Sequence, residues 1–241
     1  MSAYQDALIS IICPVYNAEK TVSKMIESVI SQDYKNLQLI IADDKSSDST
    51  VETVERYAEK DSRILLIKNK ENVGPGPSKN NAIQYAEGEF ITFIDADDWI
   101  EKGAYSALMS EQRSSEADVV VMGYIQDYLE KSGELKYSVE VLPPKLSGDE
   151  TAAQVFTLLD FHKIYSFCCT KLIKASLIKE NGIEFPPIMH SEDFFFNMSL
   201  LPYVNKTATV TKAFYHYIKP ASVTLTSSDY IPGYYELSNK R

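Results

Sequence analysis

Four short apolar runs, separated by segments with helical periodicity, fill the first hundred residues and restrict the chain to few architectures. Leu8 to Cys13, Leu37 to Ala42, Ile64 to Ile67 and Phe90 to Ile94 are nearly continuous in apolar side chains. Strands buried on both faces of a parallel sheet have this character. Between the first two, Val22, Met25, Ile26, Val29 and Ile30 recur at helical spacing. Val51, Val54, Tyr57 and Ala58 share one face of a second helix. A loop with Gly74, Pro75, Gly76 and Pro77 leads to a shorter one carrying Ala82, Ile83 and Ala86. Strand and helix in strict alternation imply an α/β fold, a mostly parallel sheet flanked by helices.

Beyond Trp99 the rhythm changes. Tyr105, Leu108 and Met109 predict one more helix and Val119 to Met122 one more strand. Tyr124 to Leu129 and Leu135 to Val141, around Lys131-Ser132-Gly133, predict a hairpin. The rest is mixed helix and short strand with a Phe-rich stretch at Phe194-Phe195-Phe196. A soft boundary near residue 100 therefore divides the chain into segments 1–100 and 101–241. No Gly/Ser- or Pro-rich linker separates them, so they are expected to form one continuous domain.

In open parallel sheets, ligands bind beyond the carboxyl ends of the strands. Here those ends are Pro14-Val15-Tyr16-Asn17, Asp43-Asp44-Lys45-Ser46-Ser47-Asp48, Lys68-Asn69 and Asp95-Ala96-Asp97-Asp98. The last places three carboxylates within four positions. Carboxylates so crowded repel one another unless a cation or hydrogen-bond donors compensate. Asp is common in turns, and a divalent cation holding a diphosphate would also account for the cluster; this segment alone leaves the two readings even. Asp43 or Asp44 could meet a base edge and ribose hydroxyls, while Ser47 or Asp48 caps the next helix. The Gly74–Pro77 loop lets backbone approach a ligand, and Lys79 behind it could meet a phosphate. Far downstream, Ser191 is a candidate N-cap with Glu192 and Asp193 in the first helical turn.

Several classes are excluded by what surrounds these motifs. The net charge of −10 disfavours a nucleic-acid partner. No Gly-x-Gly-x-x-Gly or Walker-type loop follows the first strand, against a dinucleotide cofactor. No apolar run is long enough to span a bilayer and no signal peptide opens the chain. Cys13, Cys168 and Cys169 form neither a disulfide framework nor a zinc spacing. A cytoplasmic location is expected.

Together the motifs resemble glycosyltransferase family 2, with the GT-A fold. Pro14-Val15-Tyr16-Asn17 is similar to its opening motif, and residues 43–50 to its D-D-G-S-x-D-x-[ST] segment. Asn72-Val73-Gly74 resembles its N-x-G, and Asp95-Ala96-Asp97-Asp98-Trp99 its D-x-D-D-W. Lys171-Leu172-Ile173 and Glu192-Asp193-Phe194-Phe195-Phe196 resemble K-L-Y and E-D-x-x-F. The resemblance implies an inverting transfer from a nucleotide-sugar, usually a UDP-sugar, with Mg²⁺ or Mn²⁺. By it, Pro14, Tyr16 and Asp43 or Asp44 hold uridine, with Asn17, Asn72 and Lys79 in the nucleotide-binding set. Asp95 meets ribose or metal, Asp97 binds the metal, and Asp98 orients the donor sugar or braces the turn. Asp193 is the general base, supported by Glu192. The first hundred residues bind the nucleotide-sugar and residues 101–241 the acceptor, a saccharide or lipid-linked sugar of surface polysaccharide or glycolipid synthesis. Peripheral association with the inner face of a membrane follows from such acceptors.

The sequence departs from the family pattern in two places. Ser78-Lys79-Asn80 stands where Ala-Arg-Asn is frequent, and lysine lacks the bidentate fork of arginine. Phe214-Tyr215-His216-Tyr217 stands where Tyr-Tyr-Arg is frequent, ahead of Ser222. His216 could ligate metal or phosphate, although a lone histidine between aromatics is more often structural. Two alternatives stand beside the transferase. A non-catalytic nucleotide-sugar-binding module would not need both Asp97 and Asp193. A sugar-nucleotide pyrophosphorylase would want a Gly-rich, basic loop after the first strand, and Pro14-Val15-Tyr16-Asn17 is not one.

Overall fold

The computed structural model describes residues 7–146 and 148–221. Chain order runs β1 (Ile9–Val15), α1 (Val22–Ile30), β2 (Leu37–Asp43), α2 (Thr50–Ala58), β3 (Ile64–Lys68), α3 (Pro75–Ile83) and β4 (Phe90–Phe93). The second half adds β5 (Trp99–Ile100), α4 (Ala104–Ser115), β6 (Val119–Leu129), β7 (Leu135–Val141), α5 (Ala152–Phe161), β8 (Lys171–Lys174), α6 (Ala175–Glu180), α7 (Glu192–Leu200) and β9 (Thr207–Lys219). One sheet joins them in the order β3-β2-β1-β4-β8-β6-β9-β5, with β7 paired to β6. β3, β2, β1 and β4 run parallel, as the apolar runs require. β8 then enters antiparallel between β4 and β6. Strands from both halves of the chain thus share a single ladder.

Two elements differ from the sequence expectation. β1 runs through Pro14 to Val15 instead of ending at the proline. Pro14 is tolerated because its missing N–H faces the β4 side, where pairing stops at Ile12 and Phe93, while Val15 still accepts from Asp44 on the β2 side. The two expected strands at 119–122 and 124–129 are one long strand, β6. It bends at Gly123, where a Cβ would lie 2.5 Å from the Val141 carbonyl oxygen. The hairpin with β7 forms in the expected place.

The core contact that matters for the site is aromatic. Phe196 of α7 is fully buried and stacks on Phe185 at 3.9 Å. Both meet Phe93 edge-on, at 5.6 and 5.2 Å. Phe93 is the last residue of β4, so this cluster pins the start of α7 to the strand that delivers Asp95-Ala96-Asp97-Asp98.

Candidate active site

The carboxyl ends of β1, β2 and β4 open into a cleft of about 780 Å³. Pro14, Tyr16, Asn17, Asp44, Asn72, Asp95 and Asp97 line it, as does Met189 from the loop before α7. Two loops form its floor by holding each other. Asn17 adopts a left-handed φ of 48°. Its N–H donates to Ser46 Oγ, and its side-chain oxygen accepts from the Ser47 N–H, both at 2.9 Å. Asp48 accepts from the N–H and hydroxyl of Thr50, the first residue of α2, but the N-cap position falls on Ser49, which makes no side-chain capping bond, rather than on Ser47 or Asp48 as expected.

Asp43 and Asp44 separate. Asp43 is buried, accepts only long bonds from the Ser46 N–H, and does not reach the cleft. Asp44 accepts from Asn69 Nδ2 and the Val73 N–H at 2.9 Å on one oxygen, and from the Gly74 N–H at 2.8 Å on the other. Three of roughly four acceptor positions of a carboxylate are thereby committed to the loop that forms one wall of the cleft.

Asp95 to Asp98 form both the turn and the acidic cluster that the sequence left open. The Asp98 N–H donates to the Asp95 carbonyl oxygen at 3.2 Å. Asp97 is exposed at the cleft and Asp95 half-buried. Burial, with repulsion from Asp193, Asp97 and Glu192 and against attraction by Lys79, pushes the Asp95 carboxyl up to about 7. Of the two roles open to Asp98, orienting the donor sugar or bracing the turn, the geometry fits the second, because its side chain is turned inward. One of its oxygens accepts from the Tyr215 hydroxyl at 2.6 Å and the other from the Ile218 N–H at 2.8 Å, leaving it 1% exposed. It clamps β9 to the turn. Burial first, then repulsion from Asp97 and Asp95, raises its carboxyl well above the usual range.

His216, for which a structural role is the commoner reading beside that of a metal or phosphate ligand, is engaged within the protein. Its ring nitrogens lie 2.7 Å from Asp127 and 3.3 Å from Glu101, and the ring stacks on Trp99 at 3.6 Å. It locks the end of β6 to β5 and β9. Ser222 lies outside the described residues.

Lys79 does not point at the cleft where a phosphate would lie. It is 2% exposed and reaches from α3 to the downstream acidic pair, 2.7 Å from Asp193 and 3.2 Å from Glu192. Asp193 accepts in addition from the Cys168 N–H at 3.0 Å. Burial raises the Asp193 carboxyl, but Lys79 and the Cys168 N–H outweigh it and hold it below the usual range. Glu192 moves the opposite way, raised by burial and by Asp193 despite Lys79. The two neighbouring carboxyls are thus driven in opposite directions. Ser191 flanks α7 without capping it through its side chain. Its φ of 62° is left-handed.

Residues that the motifs missed shape this region. Gly76 serves protein packing rather than ligand approach, since a Cβ there would lie 2.7 Å from the Pro186 carbonyl oxygen. Asn80 exchanges two 2.8 Å hydrogen bonds with the Phe185 backbone. Met189 packs against Gly74 and walls the cleft. Its only sequence signal is that it lies three residues before Glu192.

A divalent cation fits the donor set. Asp193, Glu192 and Asp95 surround one buried lysine, and burial first, then repulsion from Asp193, Asp97 and Glu192, raises the Asp95 carboxyl to about 7. Among the described residues, no group of three or more Asp, Glu, His or Cys side chains is arranged to hold a metal unaided. Two carboxylates completed by substrate phosphates are the usual arrangement for Mg²⁺.

The curled sheet with a cleft at its strand ends is the GT-A fold. The structure superposes on S. aureus TarS 1–349 in complex with UDP-GlcNAc with a TM-score of 0.77 and 26% identity, covering 92% of this chain and 62% of that one. Residues 10–178 match the model of glycosyl transferase family 2, and the chain belongs to that family. It is 32% identical over 228 residues to the poly(ribitol-phosphate) beta-glucosyltransferase of Bacillus spizizenii, covering 93% of this chain and 34% of that protein. It is 33% identical over 227 residues to the GalNAc(5)-diNAcBac-PP-undecaprenol beta-1,3-glucosyltransferase of Campylobacter jejuni, covering 91% and 68%. The chain therefore spans about a third of the first relative and two thirds of the second. Family membership sets aside the pyrophosphorylase alternative.

Proposed function

We propose that this chain is the catalytic domain of an inverting, metal-dependent glycosyltransferase that takes a UDP-sugar and glycosylates a surface-polysaccharide or lipid-linked acceptor. The observation that supports this most directly is the ion pair between Lys79 and Asp193. It joins a carboxylate from the distant second acidic pair to the helix behind the donor cleft. UDP-GlcNAc in the TarS structure and the lipid-linked substrate named for the C. jejuni relative support the donor and acceptor classes.

In this reading Pro14, Tyr16, Asn17 and Asn72 contact the nucleotide, with Asp44 holding the loop that faces it. Residues 1–100 supply the donor side and 101–241 the acceptor side. Asp193 takes the proton of the acceptor hydroxyl as its oxygen attacks the anomeric carbon. The bond to the nucleoside diphosphate breaks on the opposite face, the diphosphate leaves with the bonding pair, and the configuration inverts. Asp95 and Asp97 would hold Mg²⁺ or Mn²⁺, which when bound neutralises the leaving diphosphate and makes a general acid unnecessary. No helix among the described residues is long and apolar enough to cross a membrane. We place the reaction in the cytoplasm, at the inner face of the membrane where a lipid-linked acceptor would be met.

The test is metal-dependent hydrolysis of UDP-glucose and UDP-GlcNAc, followed by transfer to a lipid-linked or polyol-phosphate acceptor. Asp193→Asn should lose turnover by about 10²-fold or more and keep UDP affinity. Asp97→Ala should lose the metal-dependent part of UDP affinity. Wild-type turnover by the first variant, or unchanged Mn²⁺-dependent affinity in the second, removes the corresponding role.

A further inference from the structure

The base assignment leaves unexplained why a lysine should be buried behind the donor cleft. Lys79 lies on α3, in the first half of the chain, and Asp193 lies in the first turn of α7, 114 residues later. A primary amine buried to 2% exposure is retained as a cation only against compensating charge. Its ammonium has that compensation at Asp193 and Glu192, with the Cys168 sulfur 3.9 Å away and the Phe185 ring centroid 5.0 Å away. The contact is directional. Lys79 takes one oxygen of Asp193 and the Cys168 N–H the other, which fixes the carboxylate plane at two points.

On the reading that Asp193 is the base, we propose that Lys79 is its positioning residue, holding the carboxylate ionised and aimed from the donor-side helix. The titratable and charged groups around this pair come from every neighbouring element. Asp95 stands at the end of β4, Glu192 beside Asp193 on α7, and Cys13 on β1. Cys168 and Lys171 belong to the segment leading into β8. Lys171 is not an alternative cation for the task, because its ammonium is spent on the Ile164, Tyr165 and Phe167 carbonyl oxygens. Removing the Lys79 charge leaves carboxylates of one sign around Asp193 with only the Cys168 N–H to stabilise its anion. Its affinity for a proton must then rise.

Lys79→Met, Lys79→Arg and Asp193→Asn are to be compared with the wild type in UDP-sugar hydrolysis from about pH 3 to 9, a range that spans the ordinary carboxyl value. Lys79→Met should lower kcat at pH 7 by about 10²-fold, leave the donor KM within about threefold, and move the acid limb of the kcat profile upward by at least one pH unit. Lys79→Arg should restore most of kcat and return the acid limb towards that of the wild type. In the unmodified protein, ¹³C titration of the Asp193 carboxyl should place it below the ordinary value of about 3.9. That measurement decides the matter should Lys79→Met fail to fold or hydrolysis be too slow to follow. An Asp193 carboxyl titrating at or above its ordinary value, or a Lys79→Met enzyme whose acid limb stays in place, overturns the Lys79 assignment. Wild-type turnover by Asp193→Asn instead overturns the base reading on which it rests.

Discussion

Removing the Asp44 carboxylate is the sharpest test of what shapes the donor cleft. Asp44→Ala orphans three donors at once: the Gly74 N–H, the Val73 N–H and Asn69 Nδ2. Gly74 is buried, so its N–H bears the full desolvation penalty of about 1–3 kcal/mol. The other two are partly exposed and recover part of their loss from water. A total of about 3–5 kcal/mol follows from these terms, which for a domain of this size lowers Tm by about 10 °C. The loss propagates, because Asn69 also donates to Ser78 Oγ and accepts from Asn81, tying the loop to α3. The wall carrying Asn72 and Gly74 should loosen and UDP should bind about tenfold more weakly, about 1.4 kcal/mol. Asp44→Asn keeps one acceptor oxygen and should lose about half as much stability. The measurements are urea unfolding of the three proteins and calorimetric titration with UDP and Mn²⁺. Stability within about 0.5 kcal/mol of wild type, together with weakened UDP binding, would refute the argument and make Asp44 a direct ligand of the nucleotide.

Other outcomes follow from the same geometry. Gly76→Ala should push the Pro186 carbonyl away and shift the start of α7. Its effect should fall on kcat more than on UDP affinity, as a comparison of turnover with UDP titration will show. Asp118→Asn should cost about 1.5–3 kcal/mol at pH 7, since its carboxylate takes Lys174 at 2.7 Å and the Asn205 and Lys206 N–H groups, joining β8 and the approach to β9 to β6. Burial raises the Asp118 carboxyl, but these donors outweigh it and depress it. Its contribution is therefore present above the unfolded value near pH 4 and disappears as pH falls through the folded value. The variant and wild type should converge in urea midpoint near pH 2. His216→Phe preserves stacking on Trp99 but leaves buried Asp127 with Ser138 as its one remaining hydrogen-bond partner among the described residues. It should lower Tm while leaving the metal dependence of UDP binding in place. Loss of that metal dependence would restore His216 as a ligand.

Much of the fold was legible because burial imposes local patterns. Three of the four apolar runs of the first hundred residues form strands covered on both faces, β3 at the sheet edge leaves Leu65 exposed, and the polar ends of all four meet at one edge of the parallel sheet. The ordered motifs from Pro14 to Glu192-Asp193 identified the family. Sequence alone could not say where the side chains of those motifs point. Asp44 and Asp43 are adjacent and chemically identical, yet one holds the loop beside the cleft and the other is buried away from it. Asp97 and Asp98 are likewise adjacent, but only Asp98 meets Tyr215 and Ile218, which arrive 117 and 120 residues later. Lys79 looked like a phosphate ligand because nothing local distinguishes a lysine facing a ligand cleft from one buried against another helix. Its partner is 114 residues away. Hydrophobic periodicity and strand-end chemistry are properties of neighbours along the chain, and the sequence determined them. Which carboxylate keeps its charge depends on donors and cations from distant segments, and only the tertiary structure decided that.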